Sequence, residues 1–576
     1  MRALRWTLLG LAVLATAAAP APPAPAQEPS VTERLQRRIR LHLEEVARED
    51  FASAEEPLRA NGGRLYAARA MRRFYEERLY LPAWIDARGE VRRRARALLR
   101  GIDAADEHGL RPADYHAAQI DSLLVELRKS ARGTNPAGAE ATDRLLTEID
   151  LLLTDAFLSY GAHLVSGRVD PRSIDPLWTV NGRGTDMAAV LRRTLEEGRP
   201  PDEALARLAP EHEEYGLLRK ALAEHRSVAE AGGWPTVPEG GTLHPGDSGD
   251  RVPVLRRRLA ASGDLPAEAA AETADSAVFG PRLEEAVRRF QRRHGLTPDG
   301  LVGRETLAAL NVPARRRAEQ IRLNLERWRW LPSEFAYRHL RVNIADFEMQ
   351  VVEGDSTVLS MRTVVGRDYR QTPVFSDTMR YVVVNPSWSV PRSIAKSDIL
   401  PRLRESTSYL REQDMVVYSG WEADASRVDP ATVDWASLSP DAMRYRFVQR
   451  PGPVNALGRV KFMFPNQFSV YIHDSPSRGL FARSVRSFSS GCIRVERPLE
   501  LLDYVFRGSD RWTPDSLRAV LDAGRERTIP IPRELPVHIE YWTAWVERDG
   551  TVHFRPDVYG RDRRLEPALE AGPPGD

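Results

Sequence analysis

Cys492 is the only cysteine in 576 residues, and it stands in the run Ser489-Ser490-Gly491-Cys492-Ile493-Arg494-Val495. A thiol without a partner cysteine is either a small buried hydrophobe or a reactive group. Its surroundings favour reactivity. His473 lies 19 positions upstream, in Tyr471-Ile472-His473-Asp474, and an imidazole can take a thiol's proton and return it to a leaving amine. If this run ends a strand, side chains at i and i+2 share a face, so Tyr471 and His473 point one way and Ile472 and Asp474 the other. The Asp474 carboxylate is then badly placed to orient the imidazole. A backbone carbonyl is the expected partner of the second ring nitrogen. Gly491 lets the backbone approach a substrate carbonyl, with its own N–H and that of Cys492 placed for an oxyanion. Arg494 can grip a carboxylate in a fork. No cofactor is expected, and no metal, because one cysteine and scattered histidines make no ligand cluster of credible spacing.

The elements that must position these residues fall into blocks. Residues 31–235 are dense in helix formers with apolar spacing such as Leu146, Ile149, Leu152, Leu153, Ala156 and Phe157, which predicts an all-α scaffold domain. A Pro/Gly-rich linker from Gly232 to Gly241 precedes a compact unit at 243–312, read as three short helices. Its second helix carries Leu283, Ala286, Val287 and Phe290 on one face behind Pro281. From residue 337 the apolar period changes to two, as in Leu340, Val342 and Ile344, which predicts a mainly-β domain over 337–535. An insert at 395–445 interrupts it and reads as a capping element. Residues 536–576 are expected to form a C-terminal hairpin around Arg548-Asp549-Gly550, followed by a tail. The fold class is therefore multidomain α+β.

Residues 1–26 read as a cleavable signal peptide. Arg2 and Arg5 precede 14 uncharged residues, Trp6 to Ala19, and Ala24-Pro25-Ala26 offers a small-x-small cleavage site. The apolar run is shorter than the ~20 residues that span a bilayer comfortably. The expectation is export to the periplasm, with retention as an inner-membrane anchor the alternative. A net charge of +2, with both signs mixed along the chain, gives no argument for a nucleic-acid partner.

Two sets of residues resemble known families. Val278-Phe279-Gly280, Ala286 to Gln291 and Leu296 to Gly303 resemble the helical peptidoglycan-binding domain of wall enzymes. Ser490-Gly491-Cys492-Ile493-Arg494-Val495 with Tyr471-Ile472-His473-Asp474 resembles the active-site signature of L,D-transpeptidases with a YkuD-type catalytic domain. Val364 to Arg367, Thr372-Pro373, Asn385 to Pro391, Pro451 to Gly458 and Leu480-Phe481 extend the likeness to the YcbB-like branch, which tolerates Ser490 where many members carry histidine.

The resemblance implies a cysteinyl thioester formed on the third residue of a tetrapeptide stem, with release of D-alanine. An amine of an acceptor stem then resolves it into a 3→3 cross-link. Cys492 would be nucleophile and His473 base and acid. Gly491, Cys492 and the Tyr471 hydroxyl would stabilise the oxyanion, and Arg494, Trp388, Ser490 and Asn455 would contact substrate. Peptidoglycan stems are the implied partners, penicillin-binding proteins the implied collaborators, and carbapenems the implied inhibitors. Resolution by water (an L,D-carboxypeptidase), transfer to a lipoprotein lysine, and an inert wall-binding scaffold stay open as alternatives.

Overall fold

The computed structural model describes residues 29–49, 58–131, 138–179, 182–266 and 277–572. The signal-peptide reading of 1–26 lies outside them. No helix among the described residues is long and apolar enough to cross a membrane.

The scaffold is built around one helix, Ala139–Ser166, which is buried on nearly every side. A helix that is apolar all round belongs in the middle of a bundle. The carboxylates it buries are satisfied by backbone donors. Asp150 accepts from the N–H groups of Ala83 and Trp84 at 3.0 and 2.7 Å, and Asp155 from those of Tyr66 and Ala67 at 2.9 and 2.7 Å. These bonds fix the loops around helix Ala68–Glu77 and satisfy what would otherwise be costly buried charge. A two-residue β-hairpin, Arg59–Ala60 with Gly63–Arg64, is a small departure from the all-α expectation.

The compact unit has its own apolar cluster, including Val252, Leu255, Phe279, Leu283, Val287 and Phe290. Its helices are Arg251–Ala261, Pro281–Arg293 and Arg304–Leu310. Gln291 shapes the Pro298-Asp299-Gly300 turn by accepting from Gly300 N–H at 2.9 Å and donating to Asp299 Oδ1 at 2.7 Å.

Nine strands form the main sheet. They are β1 (Arg338–Asn343), β2 (Glu348–Glu353), β3 (Ser356–Gly366), β4 (Phe375–Val384), β5 (Val460–Met463), β6 (Ile472–His473), β7 (Ser487–Ser489), β8 (Ile493–Val495) and β9 (Arg527–Glu540). The order is β7-β3-β8-β6-β5-β4-β9-β1-β2, and β2 pairs back onto β3. Eight strands thus close a ring and β7 attaches outside it, so the ring itself has no free edge.

The insert between β4 and β5 has a separate apolar cluster from Val390 to Phe447. Its four short strands begin at Trp388–Ser389 and end at Arg446–Gln449, so the cap reaches beyond 395–445 on both sides.

Three further features differ from the sequence reading. Helix Ala314–Arg329, left between blocks, packs in the scaffold core, and its Arg329 forms a fully buried 2.5 Å ion pair with Glu326. The boundary at 535/536 cuts through β9, whose last residues, Val537–Glu540, pair with β1 in the ring. The hairpin is Ala544–Val546 with Val552–Phe554, and a helix, Arg561–Glu570, follows it. Prolines in β9 (Pro530, Pro532 and Pro536) disguised the strand, because proline usually marks a strand's end or edge.

Candidate functional site

β6 and β8 run parallel with His473 beside Arg494 and Ile472 beside Ile493. Carried one residue back, this register sets Tyr471 beside Cys492, and Ile493 N–H donates to the Tyr471 carbonyl at 3.0 Å. Ile472, Ile493 and Val495 are fully buried in the ring's core. Alternation then places Tyr471, His473, Cys492 and Arg494 on the opposite face. On the next strand Lys461 lies opposite His473. Lys461, His473 and Arg494 thus form one row across three strands, with the imidazole between two cations.

His473 is buried, and its Nδ1–H donates to the Asp474 backbone carbonyl at 2.6 Å. That bond places the proton on Nδ1 and the lone pair on Nε2. The Asp474 carboxylate lies on the far side, accepting from Arg459 N–H at 2.8 Å and pairing with Arg478 at 3.0 Å. Burial, then the charge of Arg494 and, more weakly, that of Lys461, holds the imidazole down at about 3 against the pull of the Asp474 and Leu457 carbonyls. His473 is neutral at rest.

Cys492 is half-buried. Desolvation pushes its thiol up, while Tyr471 N–H, Lys461 and Arg494 pull the other way. The thiol also makes a long 3.9 Å approach to the Ser469 carbonyl, and no hydrogen bond joins it to His473 among the described residues. The resting site is therefore a neutral thiol and a neutral imidazole on one face. Such contacts often tighten only when substrate arrives.

The oxyanion expectation for Gly491 needs correction, because its N–H is already given to Ser489 Oγ at 3.1 Å. Its carbonyl accepts from Thr372 Oγ1 at 2.8 Å. The residue has φ +112°, a conformation that side-chain-bearing residues rarely adopt, so the turn itself favours glycine. Cys492 N–H has no partner among the described residues and is the donor left free. The Tyr471 hydroxyl is the second. Burial and the neighbouring thiol push it up to about 12, so it keeps its proton.

Asn455 is also corrected. It is fully buried, donates to the carbonyls of Pro386 and Arg450 at 3.0 and 2.9 Å, and accepts from Leu457 N–H at 2.8 Å. With its polar atoms committed to the loop that leads into β5, it shapes the site and has nothing left for substrate. Trp388 packs on the cap's apolar cluster. Ser490 is exposed, and its Oγ accepts from Arg370 at 2.8 Å. Arg494 is half-buried, and its buried Nε has no partner.

Two residues that position or charge the site escaped the sequence reading. Lys461 holds its ammonium 3.6 Å from the centre of the Tyr471 ring. The signal was a lysine in the alternation Val460-Lys461-Phe462, but only the strand pairing shows what it faces. Arg370 joins Ser490 to Asp398 of the cap, at 3.1 Å.

Comparison with known proteins places three families on the chain. Residues 337–514 match the L,D-transpeptidase catalytic domain (YkuD), 248–310 the "Putative peptidoglycan binding domain", and 69–222 the "Scaffold domain". A Haemophilus influenzae protein named "Putative L,D-transpeptidase" is 34% identical over 247 residues, covering 43% of this chain and 49% of its own length. The chain thus spans about half the length of that curated relative. Among solved structures, the L,D-transpeptidase of Xylanimonas cellulosilytica (residues 123–326) is 15% identical over 53% of this chain and 99% of its own, with TM-score 0.17. That of Stackebrandtia nassauensis is 12% identical over 55% and 99%, with TM-score 0.19. Those scores carry no argument about the fold.

Proposed function

We propose that this chain, which carries an L,D-transpeptidase catalytic domain beside a peptidoglycan-binding domain, is a peptidoglycan L,D-transpeptidase that forms 3→3 cross-links through a thioester on Cys492. The observation that carries the reading is the shared face of β6 and β8, where thiol, imidazole, tyrosyl hydroxyl and a free backbone N–H meet.

The thiol gives its proton to His473 Nε2 as Sγ attacks the carbonyl carbon of the third stem residue. Negative charge on the carbonyl oxygen is met by Cys492 N–H and the Tyr471 hydroxyl. As the C–N bond breaks, His473 returns the proton to the amine of the departing D-alanine. In the second half, an acceptor amine attacks the thioester, loses a proton to His473, and the thiol is restored. Because no thiolate–imidazolium pair stands ready, the site waits for a substrate that desolvates and aligns it. Export to the periplasm, and supply of tetrapeptides by D,D-carboxypeptidases of the penicillin-binding class, belong to the same proposal.

Incubation of the protein with purified disaccharide-tetrapeptide tests it by intact mass and product analysis. The expected results are an acyl adduct on Cys492, release of D-alanine and 3→3 dimers, all lost in Cys492→Ala. Tripeptide alone would replace transfer by hydrolysis. A wild-type protein that forms no adduct with tetrapeptide or with a carbapenem would refute thioester chemistry altogether.

A further inference from the structure

The row Lys461–His473–Arg494 puts two cations beside the base, and no carboxylate pairs with either among the described residues. Lys461 lies half-buried against the Tyr471 ring, 3.6 Å from its centre. Arg494 has a buried Nε without a partner. Further charge nearby does not resolve this. Arg367 adds a positive charge near Arg494. Glu526, the acid whose field reaches Lys461, has its Oε2 engaged by Ser387 N–H at 2.6 Å. Asp474 faces away, tied to Arg459 N–H and Arg478. Two desolvated cations without counter-ions are costly to maintain, and the missing anion is then expected to arrive with the substrate.

We infer that Lys461, together with Arg494, binds a carboxylate of the donor stem peptide, so that the site selects donors bearing a free carboxylate near the attacked carbonyl. This rests on the transfer reaction proposed above. Cys492 stands immediately before the strand that carries Arg494, two residues or ~6.6 Å back along the extended chain, so a carboxylate held by the pair sits about one residue from the scissile bond. The last two residues of a tetrapeptide ending in diaminopimelate and D-alanine carry two such groups, the terminal carboxylate and that of the diaminopimelate side chain. Binding either one also removes the field that opposes protonation of His473. Donor recognition and base strength are thereby coupled, and the imidazole becomes a better acceptor for the thiol's proton only when the correct donor is in place.

The test uses the full chain and three donors: disaccharide-tetrapeptide with both carboxylates free, with the terminal carboxylate amidated, and with the diaminopimelate carboxylate amidated. Acylation of Cys492 is followed by intact mass in wild type, Lys461→Met and Lys461→Arg. In wild type, one amide is expected to lower kcat/KM about 10- to 100-fold, the range of a charge-assisted hydrogen bond, and it identifies the carboxylate read. Lys461→Met should lose a similar factor on the free donor and little more on that amide, while Lys461→Arg should restore the preference and certify the fold. Wild type that acylates all three donors within about twofold overturns the inference and leaves the transfer reaction standing. A Lys461→Met variant that slows all three equally also overturns it, because the lysine would then serve only the thiolate. Absence of acylation by any donor refutes the transfer reading, and this inference with it.

Discussion

At the level of single side chains, the two reacting groups are held uncharged by different means. Desolvation raises Cys492, whereas His473 is lowered by desolvation and by the cations on either side of it. The sign of the pH dependence follows. In the free enzyme the imidazole accepts a proton only as pH falls toward about 3, so the base form persists well below neutrality. Between pH 7 and 5, kcat/KM for acylation should therefore stay flat. An ordinary histidine of pKa ~6.5 would lose about 25-fold over that range. Stopped-flow or mass-resolved acylation across that interval checks it, and an acid limb near 6.5 would contradict the geometry described for His473. The nucleophile, the base and the shared face of Tyr471 and His473 were all legible in the sequence, because period-two alternation needs only local spacing. The Gly491 N–H bond to Ser489 and the position of Lys461 were not, since both depend on how distant segments fall into register.

At the level of elements, the cap is tied to the nucleophile loop by one guanidinium. Arg370 reaches Ser490 on one side and Asp398 of the cap on the other. Asp398 sits in a π-helical turn, Ala395–Ile399, within the helical stretch that begins at Arg392. Such turns interrupt regular hydrogen bonding and leave a helix easier to deform. The Arg370–Asp398 pair is partly exposed and is worth about 1 kcal/mol, or about fivefold in an opening equilibrium. Arg370→Ala should lower amide-exchange protection across residues 392–405 by about that factor, with little change in global stability. Unchanged protection would show that the cap's own apolar cluster holds it shut. That an insert existed was visible in the break of β-periodicity. Its pin was not, because Arg370 and Asp398 are 28 residues apart in sequence and are joined only by the fold. The continuation of β9 past its prolines and the closing pair of β2 with β3 were hidden for the same reason: pairing partners are not written in local pattern.

Across the whole molecule, burial of neutral imidazoles sets acid stability. His108 and His163 in the scaffold are held down at about 3, and His225 and His538 at about 4, all chiefly by desolvation. Each lowered group contributes stability that is present above ~6.5 and lost as pH falls through the folded values. At pH 5 each costs about 2 kcal/mol relative to neutral pH, and denaturant titrations at the two pH values should show the folded state weakened accordingly. The domains are also coupled through a short polar relay. Arg561 of the C-terminal helix forms a buried 2.6 Å ion pair with Asp175 of the scaffold and donates to the Thr372 carbonyl at 3.2 Å, while Thr372 Oγ1 anchors the Gly491 carbonyl at 2.8 Å. Tyr559 adds a hydroxyl bond to the Gly366 carbonyl beside it. The C-terminal segment thereby helps to fix the turn that presents Cys492. Arg561→Met should destabilise the protein by about 3 kcal/mol, because it leaves the Asp175 charge buried, with only the Leu177 N–H at 3.0 Å and Arg564 at 3.8 Å to answer it. The double variant Asp175→Asn/Arg561→Met removes both charges and should recover most of that stability. It should not recover the acylation rate, since the guanidinium bond to the Thr372 carbonyl is still missing. If activity returned together with stability, the relay would be a matter of folding alone, and the scaffold would have no hold on the nucleophile.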